Sequence, residues 1–371
     1  MATLLQMRRS IVVAGAFPPP LHGQSKNTRI IATDLARLTR VIEADLSPGR
    51  FGRTLGYHLR RTAKVALACL KVARNGFRDR PCLYIPADGG LGVAYTVVLV
   101  LIARLFHHSV FIHHRSFAAI DRYSILMAML VAGAGKDACH IFLCDSMRQR
   151  FFVGYPGIAH ALVSSNARHT PLQPIRQNHS AFVRIGLISN LGREKGLYHF
   201  LNVARACAEL GLPIKAVLAG PVASKEDRRA INDAVAELGD CISYLGPVYG
   251  EEKTRFYLAL DVFIFPTEYD NEAQPNVLFE AMSFGLAIIT LGRGCIAEDV
   301  DPACGLVIDH CSNFAVPATK RLADWCHDRQ SLDDAKAAAV ARISTLNSAA
   351  ITDYEILLSA IVGYADPLLQ I

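Results

Sequence analysis

The sequence lacks the features that mark several classes of protein. Its ten cysteines show no C-x-x-C spacing and no accompanying histidine pattern, so they predict neither a zinc ribbon nor a disulfide framework, and a reducing compartment is the simpler interpretation. The longest apolar run, 92–103, is shorter than the roughly 20 residues of a membrane-spanning helix, so it predicts a buried helix behind a strand. The opening residues, MATLLQMRRSIVVAGAF, lack the apolar region and cleavage site of a signal peptide.

What the sequence does contain is abundant apolar residues and an uneven charge. Hydrophobic residues make up 51% of the 371 residues, which argues against disorder and allows two domains with separate cores. Residues 1–180 contain 23 Lys and Arg against 8 Asp and Glu, a formal charge of +15, so the remainder of the chain carries −9. The two halves are therefore expected to have different functions.

Strand-like and helix-like segments alternate along the chain. In the first half, apolar runs typical of strands stand at 11–17, 81–86, 109–115, 140–144 and 161–166. After a proline-bearing stretch the pattern restarts, with strands predicted at 182–189, 214–220, 241–246, 262–266, 287–291 and 305–309. This alternation predicts an α/β fold of two Rossmann-like, doubly wound domains that face a cleft.

The domain boundaries follow from that restart. We expect residues 1–170 to form the first domain, 171–182 a linker and 183–345 the second domain. The last segment, 346–371, is predicted to contain a helix that can pack back on the first domain.

Two carboxylates flank a predicted helix start in the stretch NEAQPNVLFE, 271–280. Glu272 precedes a helix that should begin near Gln274 or Pro275, and Glu280 lies in its second turn. Such carboxylates can bind separate hydroxyl groups of one polyol ligand while free helical amides meet its phosphates. The alternative is one solvated glutamate and a second one favoured by the helix dipole. Spacing alone favours this alternative.

The surrounding residues resemble the donor-site signature of the retaining glycosyltransferases of family 4, which have the GT-B fold. That signature is a strand ending in proline, a glutamate, seven residues, Glu-Ala-Met, two residues and a glycine. Here the matching residues are Pro266, Glu272, Glu280, Ala281, Met282 and Gly285. The resemblance is clearest between residues 184 and 310.

A second segment, ISNLGREKGLYHFL at 188–201, resembles the family's pyrophosphate-binding loop. Lys195 and Gly196 match the family pattern, whereas the usual arginine falls on Asn190, with Arg193 close enough to substitute. Further along, Glu298 stands at the position of a frequent loop glutamate of the family.

The resemblance implies a role for each of these groups. Lys195 and Arg193 would bind the donor diphosphate, Glu272 the hydroxyls of the donor sugar, and Glu280 the hydroxyls of the nucleotide ribose. The family often has Gly-Phe-Gly-Leu after the first glutamate, with backbone amides that face the ligand. Here the residues are Ala273, Gln274, Pro275 and Asn276, followed by Val277. Proline removes one amide donor, so the donor sugar cannot be inferred from better-known members.

In the first half, two loops resemble family features. PPPLHGQS contains Gly23, which lets backbone approach a ligand closely, and Ser25, which could cap the next helix or bind a phosphate. His113 and His114 end a predicted strand in a region where the family commonly has a histidine facing the reacting sugar. His113 is the favoured candidate and His114 the alternative, while a merely packed or solvated pair is the other interpretation.

The resemblance implies a retaining hexosyltransferase of bacterial surface polysaccharide biosynthesis, which moves a sugar from a nucleotide-sugar donor to a glycan or polyprenyl-linked acceptor. The first domain would bind the acceptor and the second the donor, with His113, Lys195 and Glu272 as catalytic residues. The departing diphosphate would help to deprotonate the acceptor, so neither a cofactor nor a divalent metal is expected. The alternatives are a nucleotide-sugar 2-epimerase of the same fold and a non-catalytic glycosyltransferase-like binding protein.

The stretch 50–80 carries nine basic residues against one acidic residue. On a helix, one side collects Arg60, Lys64, Lys71, Arg74 and Arg78, and the opposite side contains Val65, Cys69 and Val72. Such a basic face suits an anionic membrane surface, and the alternative is a solvated helix face. No aromatic-interleaved basic motif indicates nucleic acid as a partner. The predicted location is therefore the cytoplasm, at the inner face of the cytoplasmic membrane.

Overall fold

The computed structural model describes residues 9–19, 23–47, 55–171, 173, 180–309 and 313–363. The chain divides into two compact units. The first unit consists of Met1–Ser165 and Thr352–Ile371, and the second is Asn166–Ile351.

The first unit is a six-stranded parallel sheet with helices between the strands. In chain order its elements are β1 Ser10–Gly15, α1 Gly23–Leu38, β2 Arg40–Asp45, α2 Leu55–Asn75, β3 Pro81–Pro86, α3 Val93–Leu105, β4 Ser109–His113, α4 Ala118–Asp121, α5 Ile125–Ala134, β5 Cys139–Phe142, α6 Asp145–Gly154 and β6 His160–Val163. The strand order is β2-β1-β3-β4-β5-β6. All carboxyl ends of the strands therefore lie along one edge, where open α/β sheets bind ligands.

The second unit repeats this plan. Its elements are β7 Val183–Ile188, α7 Leu197–Glu209, β8 Ile214–Ala219, α8 Lys225–Leu238, β9 Ile242–Tyr244, α9 Gly250–Leu258, β10 Val262–Phe265, α10 Asn276–Ser283, β11 Ala287–Leu291, α11 Ile296–Asp299, β12 Gly305–Ile308, α12 Ala315–His327 and α13 Arg329–Val362. The strand order is β12-β11-β10-β7-β8-β9, again parallel throughout. β7 and β10 are neighbours, so the loops after them start at the same edge of the sheet.

The predicted α/β fold class is confirmed, and each predicted strand has its counterpart. The sequence did not predict β2. Only Ala44 of this strand is buried, and the strand forms the edge of its sheet. A half-polar edge strand of this kind has no continuous apolar run, which is the signal that identified the other strands.

The end of α13 belongs to the first unit. Leu357, Ala360 and Ile361 lie in the same core cluster as Ile11 and Val13 of β1. Hydrogen bonds add to this packing, because the Tyr354 hydroxyl donates to Asp34 Oδ2 at 2.9 Å. The helix thus contributes side chains to the cores of both units, since Ala339 and Ile343 pack in the second.

The apolar run predicted to be a buried helix is α3, and that prediction is half wrong. Val97 and Val100 are buried, but Val98, Leu101 and Leu105 are exposed. Both sides of this helix are apolar, so periodicity could not reveal that only one side is covered. Within the described residues, no helix is both long and apolar enough to cross a membrane.

The basic helix predicted within 50–80 is shorter than expected, and some of its basic side chains bind other residues of the unit. Residues 50–54 lie outside the described part of the chain, and α2 ends at Asn75, so Arg78 is not on the helix. Lys64 Nζ lies 2.5 Å from Asp45 Oδ2, and Lys71 Nζ donates to the carbonyl of Glu43 at 2.7 Å. Part of the predicted basic face is therefore engaged with β2.

Candidate active site

In the second unit, the loop after β7 comes very close to the loop after β10. Gly196 has a left-handed backbone with φ of 83°, and a Cβ placed there would lie 2.3 Å from the carbonyl oxygen of Pro266. Only glycine tolerates both the conformation and the contact. The close approach brings Lys195 next to the residues that follow β10.

Lys195 and Glu272 form an ion pair at this position. Lys195 Nζ donates to Glu272 Oε2 at 2.6 Å and lies 4.2 Å from the centre of the Tyr269 ring. The hydroxyl of Thr267 lies 3.4 Å from the same carboxylate oxygen. The side chains of Lys195 and Glu272 are 23% and 12% exposed, so solvent reaches the pair but does not surround it. The pair is therefore accessible to an anionic ligand.

Glu280 is held by two residues of α9. Lys253 Nζ lies 2.6 Å from Glu280 Oε2, and the hydroxyl of buried Tyr257 donates to the same oxygen at 2.8 Å. Burial, and then the charge of Glu280, raise the pKa of Tyr257 well above its usual value, so the hydroxyl stays protonated and donates. Within the described residues, the contacts of both Glu272 and Glu280 fall on Oε2. Each carboxylate thus keeps Oε1 as an acceptor.

Between the two glutamates, α10 starts at Asn276, one residue later than the latest predicted start. Pro275 is its N-cap, with φ of −75° and no side-chain hydrogen bond to cap the helix. The first amides of a helix have no acceptor within the helix. Beside them, Asn276 Oδ1 is buried and has no hydrogen-bond partner among the described residues. The start of α10 therefore offers polar groups to a ligand.

A buried polar network positions this loop, and the sequence did not reveal it. Gln274 Oε1 accepts from the backbone amide of Asn166 at 2.7 Å, and Gln274 Nε2 donates to Asp299 Oδ1 at 3.0 Å. Burial raises the pKa of Asp299 to about 8, with Glu298 adding to the rise. The network joins residues that are 108 and 25 positions apart, and no local motif could have signalled it.

The loop after β11 supports the same segment. Gly294 has φ of 62°, and a Cβ there would lie 2.5 Å from the carbonyl oxygen of Ala273. The amide of Cys295 donates to that carbonyl at 2.8 Å, and Arg293 donates to the carbonyl of Asp270 at 2.8 Å. The guanidinium of Arg293 and the amide of Cys295 thus hold the backbone before and after Glu272.

The remaining candidates of the second unit lie in the loop after β7 and on α10 and α11. Arg193 is exposed, with its guanidinium 4.2 Å from the centre of the Tyr198 ring and 3.8 Å from Glu226 Oε1. Asn190 is exposed in the loop after β7. Glu298 lies on α11, where its backbone carbonyl accepts from Arg342 at 2.6 Å. Val277 is half-buried in the first turn of α10.

In the first unit, α1 begins at Gly23, and residues 20–22 of the glycine-bearing loop lie outside the described residues. Ser25 is the third residue of this helix and is fully buried. The expectation that Ser25 caps the helix is therefore wrong, because an N-cap residue stands before the first helical residue.

The two candidate histidines have different surroundings. His113 Nδ1 lies 2.7 Å from the Tyr84 hydroxyl and 3.2 Å from the guanidinium of Arg115. Because a guanidinium only donates, Nδ1 accepts, and a neutral ring then carries its proton on Nε2. His114 stacks on Phe142 and on His140. Burial, and then His140, lower the pKa of His114 well below its usual value, so it stays neutral.

A small cavity opens at the carboxyl edge of this first sheet. It has a volume of about 100 Å³ and is lined by residues that follow β3 and β4, among them Asp88, Arg115 and Ser116. Arg61 donates to Asp88 at 2.7 Å. The cavity thus has both polar and charged groups in its wall.

The sequence of the second unit resembles that of a known family. Residues 183–324 match the sequence model of the family described as glycosyl transferases group 1. No curated protein sequence matches the chain.

Solved structures similar to this chain cover nearly all of it. Sucrose-phosphate synthase from Thermosynechococcus elongatus has a TM-score of 0.71 at 16% identity, over 96% of this chain and 100% of its own. Anabaena Alr3699/HepE in complex with UDP and glucose gives 0.64 at 15%, over 94% and 99%. An E. coli structure described as trehalose-6-phosphate bound with UDP-2-fluoro glucose gives 0.62 at 8%, over 95% and 98%. At these identities the similarity establishes the fold, which is that of GT-B glycosyltransferases.

Proposed function

We propose that the protein is a retaining glycosyltransferase of family 4, which transfers a sugar from a nucleotide-sugar donor to a hydroxyl group of a glycan or lipid-linked acceptor. The observation that carries the proposal is the Lys195–Glu272 pair beside the start of α10, with Glu280 in the next turn. A cation, two carboxylates and free helical amides at one sheet edge match the parts of a sugar nucleotide.

In this proposal the donor diphosphate binds at Lys195. Among the described residues the ammonium group is paired with one carboxylate, that of Glu272, so a diphosphate of higher charge can replace this carboxylate as the partner. The amides of Asn276 and Val277, at the positive end of α10, would add to the binding of negative charge. These groups bind the departing diphosphate more strongly as its charge develops, which lowers the barrier of the transfer step.

The two glutamates would bind the two ends of the donor. Glu272, released from Lys195, would accept hydrogen bonds from hydroxyls of the transferred sugar. Glu280 would accept from the ribose hydroxyls through Oε1, while Lys253 and Tyr257 keep Oε2 in place. A carboxylate held on one oxygen is preorganised, so less entropy is lost when the ligand binds.

Retention by this route needs no carboxylate nucleophile, in contrast to retaining glycosidases. The leaving diphosphate takes the proton of the acceptor hydroxyl, so the chemistry depends on positioning and charge. In the first unit we propose His113 as the histidine that contacts the reacting sugar. Both rings are buried, but that of His113 contacts the polar groups of Tyr84 and Arg115, whereas that of His114 stacks on Phe142 and His140. The proposed biological setting is the assembly of bacterial surface polysaccharides at the cytoplasmic membrane.

The test is a screen of nucleotide sugars for thermal stabilisation of the full chain, since a ligand that binds only the native state raises its apparent stability. Uridine nucleotides come first, because two of the similar structures were solved with UDP or a UDP-sugar. We expect a nucleotide sugar to raise the melting temperature, and Glu280→Gln to weaken its binding by about tenfold or more, as loss of a charged hydrogen bond does. Glu209→Gln is the matched control, because Glu209 is exposed at the end of α7.

Three results would contradict the proposal. If no nucleotide or nucleotide sugar binds in calorimetry, the protein is a non-catalytic relative. If a changed nucleotide sugar is released without any acceptor, it is an epimerase. If Glu280→Gln binds the nucleotide as well as the parent chain does, the donor site is wrongly assigned.

A further inference from the structure

Three helices of the first unit expose apolar side chains on their outer faces. On α3 the exposed residues Val98, Leu101 and Leu105 follow helical spacing, opposite a buried face that contains Val100. The helix therefore has an inner apolar face, and the exposed apolar side chains are additional to it.

The same arrangement recurs on the helices beside α3. On α2, Leu67 and Leu70 are 59% and 60% exposed, although Val65 and Val72 of the same helix are buried. On α5, Ile125 is 72% exposed and Met129 is 52% exposed. Each of the three helices thus has two apolar sides, only one of which is covered by the domain.

The three outer faces form one surface, because α3 contacts both of its neighbours. The Thr62 hydroxyl on α2 lies 3.4 Å from the Tyr95 hydroxyl on α3. On the other side, a Cβ at Gly133 of α5 would lie 3.0 Å from Leu101 Cδ2. We call this the outer apolar surface, defined by Leu67, Leu70, Val98, Leu105, Ile125 and Met129.

The outer apolar surface stands out from the rest of the molecule. Of the twenty large apolar side chains exposed among the described residues, eleven lie between residues 59 and 129. Scattered exposed apolar residues are normal, but a contiguous group indicates an interaction site. The sequence hypothesis placed an interaction on the charges of the basic helix alone, whereas the structure adds three apolar helix faces.

The charge around this surface identifies its partner. Residues 55–137, which contain the three helices, have eleven Lys and Arg against four Asp and Glu, although Arg61 and Lys64 are paired with Asp88 and Asp45. Arg60 and Arg74 lie exposed on α2, and Arg122 lies exposed just before α5. The partner should therefore be negatively charged and should also offer an apolar phase.

We infer that the outer apolar surface docks on an anionic lipid bilayer. A bilayer offers negative headgroups and hydrocarbon within a few ångströms of each other, which matches apolar side chains between cationic ones. A nucleic acid supplies the charge but no apolar phase. A second copy of this chain would bring the same positive surface against itself. The inference does not depend on the proposed sugar transfer.

The test is co-sedimentation of the full chain with vesicles of phosphatidylcholine, with and without 30% phosphatidylglycerol, at about 50 mM and 500 mM salt, because surface electrostatics weaken with salt. We expect binding to the anionic vesicles at low salt and weak binding to the neutral ones. One variant, Leu67→Gln with Leu105→Gln and Ile125→Gln, removes one apolar residue from each helix. We expect it to partition at least about tenfold more weakly.

Two further variants separate charge from apolar contact. Arg60→Gln with Arg74→Gln should weaken binding about thirtyfold at low salt and less at high salt. A matched control places Leu210→Gln, Leu245→Gln and Val316→Gln on the second unit, where these residues are 65%, 53% and 67% exposed. This control should bind as the parent chain does. All the substituted side chains are exposed, and a melting curve for each variant checks that it folds.

Three outcomes would overturn the inference: the parent chain stays in the supernatant with anionic vesicles at low salt, the control weakens binding as much as the triple variant does, or neither surface variant weakens it. Light scattering without vesicles covers the remaining alternative. If the parent chain forms dimers that the apolar variant abolishes, a second copy occupies the surface and the bilayer assignment is wrong.

Discussion

The two units contain helices that pack in the same way but differ in the chemical character of their outer faces. α3 in the first unit and α8 in the second each pack an apolar side against their own unit. The outward positions of α8 are polar or charged, as in Glu226, Arg229 and Asp233, whereas those of α3 are apolar, as in Val98 and Leu105. Because the fold requires only the inner side, the difference reports on what each unit contacts.

The second unit places its functionally interesting charges elsewhere, at the carboxyl edge of its sheet. There Lys195, Glu272, Glu280 and Lys253 form close pairs that remain partly open to solvent. Charge on an outer helix mainly keeps a protein soluble, whereas charge at a ligand-binding edge can select a ligand. An exposed apolar helix face serves neither purpose, and it is stable in water only at a cost unless a partner covers it.

If the second unit keeps its functional charge at the sheet edge, Lys195→Ala must lower turnover with the donor found in the screen. We expect kcat to fall by about 10²–10³, which is typical for removal of one group that stabilises a developing negative charge. The matched control is Lys320→Ala, because Lys320 is 78% exposed on α12. Steady-state kinetics give both values.

Lys195→Arg separates charge from shape, since it keeps the cation and should recover part of the loss. Equal turnover in the Lys195→Ala and Lys320→Ala variants would show that charges at the sheet edge of this unit have no more functional importance than charges on its outer helices. A melting curve excludes unfolding as the cause, because Lys195→Ala also leaves Glu272 without its cation.

The edge also depends on close backbone packing, so Gly196→Ala should destabilise the second unit. The new methyl group would meet the carbonyl of Pro266 at 2.3 Å and would force alanine into a left-handed conformation. We expect a loss of about 2–3 kcal/mol in the free energy of unfolding. Gly211→Ala is the control, since its φ is +63° but nothing lies within 4 Å of the new methyl group.

The measurement uses the single tryptophan of the chain. Trp325 is buried in the second unit, so its fluorescence in a urea titration reports on that unit. If Gly196→Ala and Gly211→Ala lower the midpoint equally, backbone conformation alone matters and the contact between the two loops does not.

The sequence allowed prediction of those parts of the site that lie in continuous stretches. Glu272, Glu280 and the start of α10 stand within a few residues of each other, and Lys195 precedes a glycine that begins the next helix. The contacts that position them could not be predicted, because Asn166, Gln274 and Asp299 meet only in the folded chain.

The same reasoning explains what was missed in the first unit. Alternation of apolar runs located β1 and β3 to β6, because buried parallel strands are continuously apolar. The exposure of Leu101 and Leu105 could not be read from α3, because both sides of that helix are apolar. A pattern shows what a helix can bury and leaves open which side is covered.

Asp299 gives the second unit a pH dependence. The usual pKa of a free aspartate is about 3.9, whereas burial raises that of Asp299 to about 8. Between about pH 4 and pH 8, Asp299 is ionised in the unfolded chain and protonated in the folded chain. The free energy of unfolding therefore falls as the pH rises through this range. Below pH 4 both states are protonated and the effect disappears.

Asp299→Asn removes this titration and can keep the hydrogen bond from Gln274. We expect the variant to be stabilised relative to the parent chain by about 3 kcal/mol more at pH 7.5 than at pH 5, given about 1.4 kcal/mol per pH unit between the two pKa values. Urea titrations at both pH values, followed by Trp325 fluorescence, provide the measurement. Parallel pH profiles for the two proteins would show that Asp299 is ionised in the folded state.

The smallest expected effect is also the most informative about the first unit. Leu105 is 72% exposed, so Leu105→Gln should change the free energy of unfolding by less than about 0.5 kcal/mol. Leu99, six residues earlier on α3, is fully buried, and Leu99→Gln should cost several times as much because it buries an amide without partners. Circular dichroism follows both variants, since the only tryptophan lies in the other unit.

A near-zero effect at Leu105 would mean that folding of the isolated chain gains nothing from this leucine, as expected for a side chain that is left available to a partner. A cost at Leu105 close to that at Leu99 would instead mean that the chain covers this side chain itself. In that case α3 would resemble α8 in burying its whole apolar surface, and the contrast between the units would disappear.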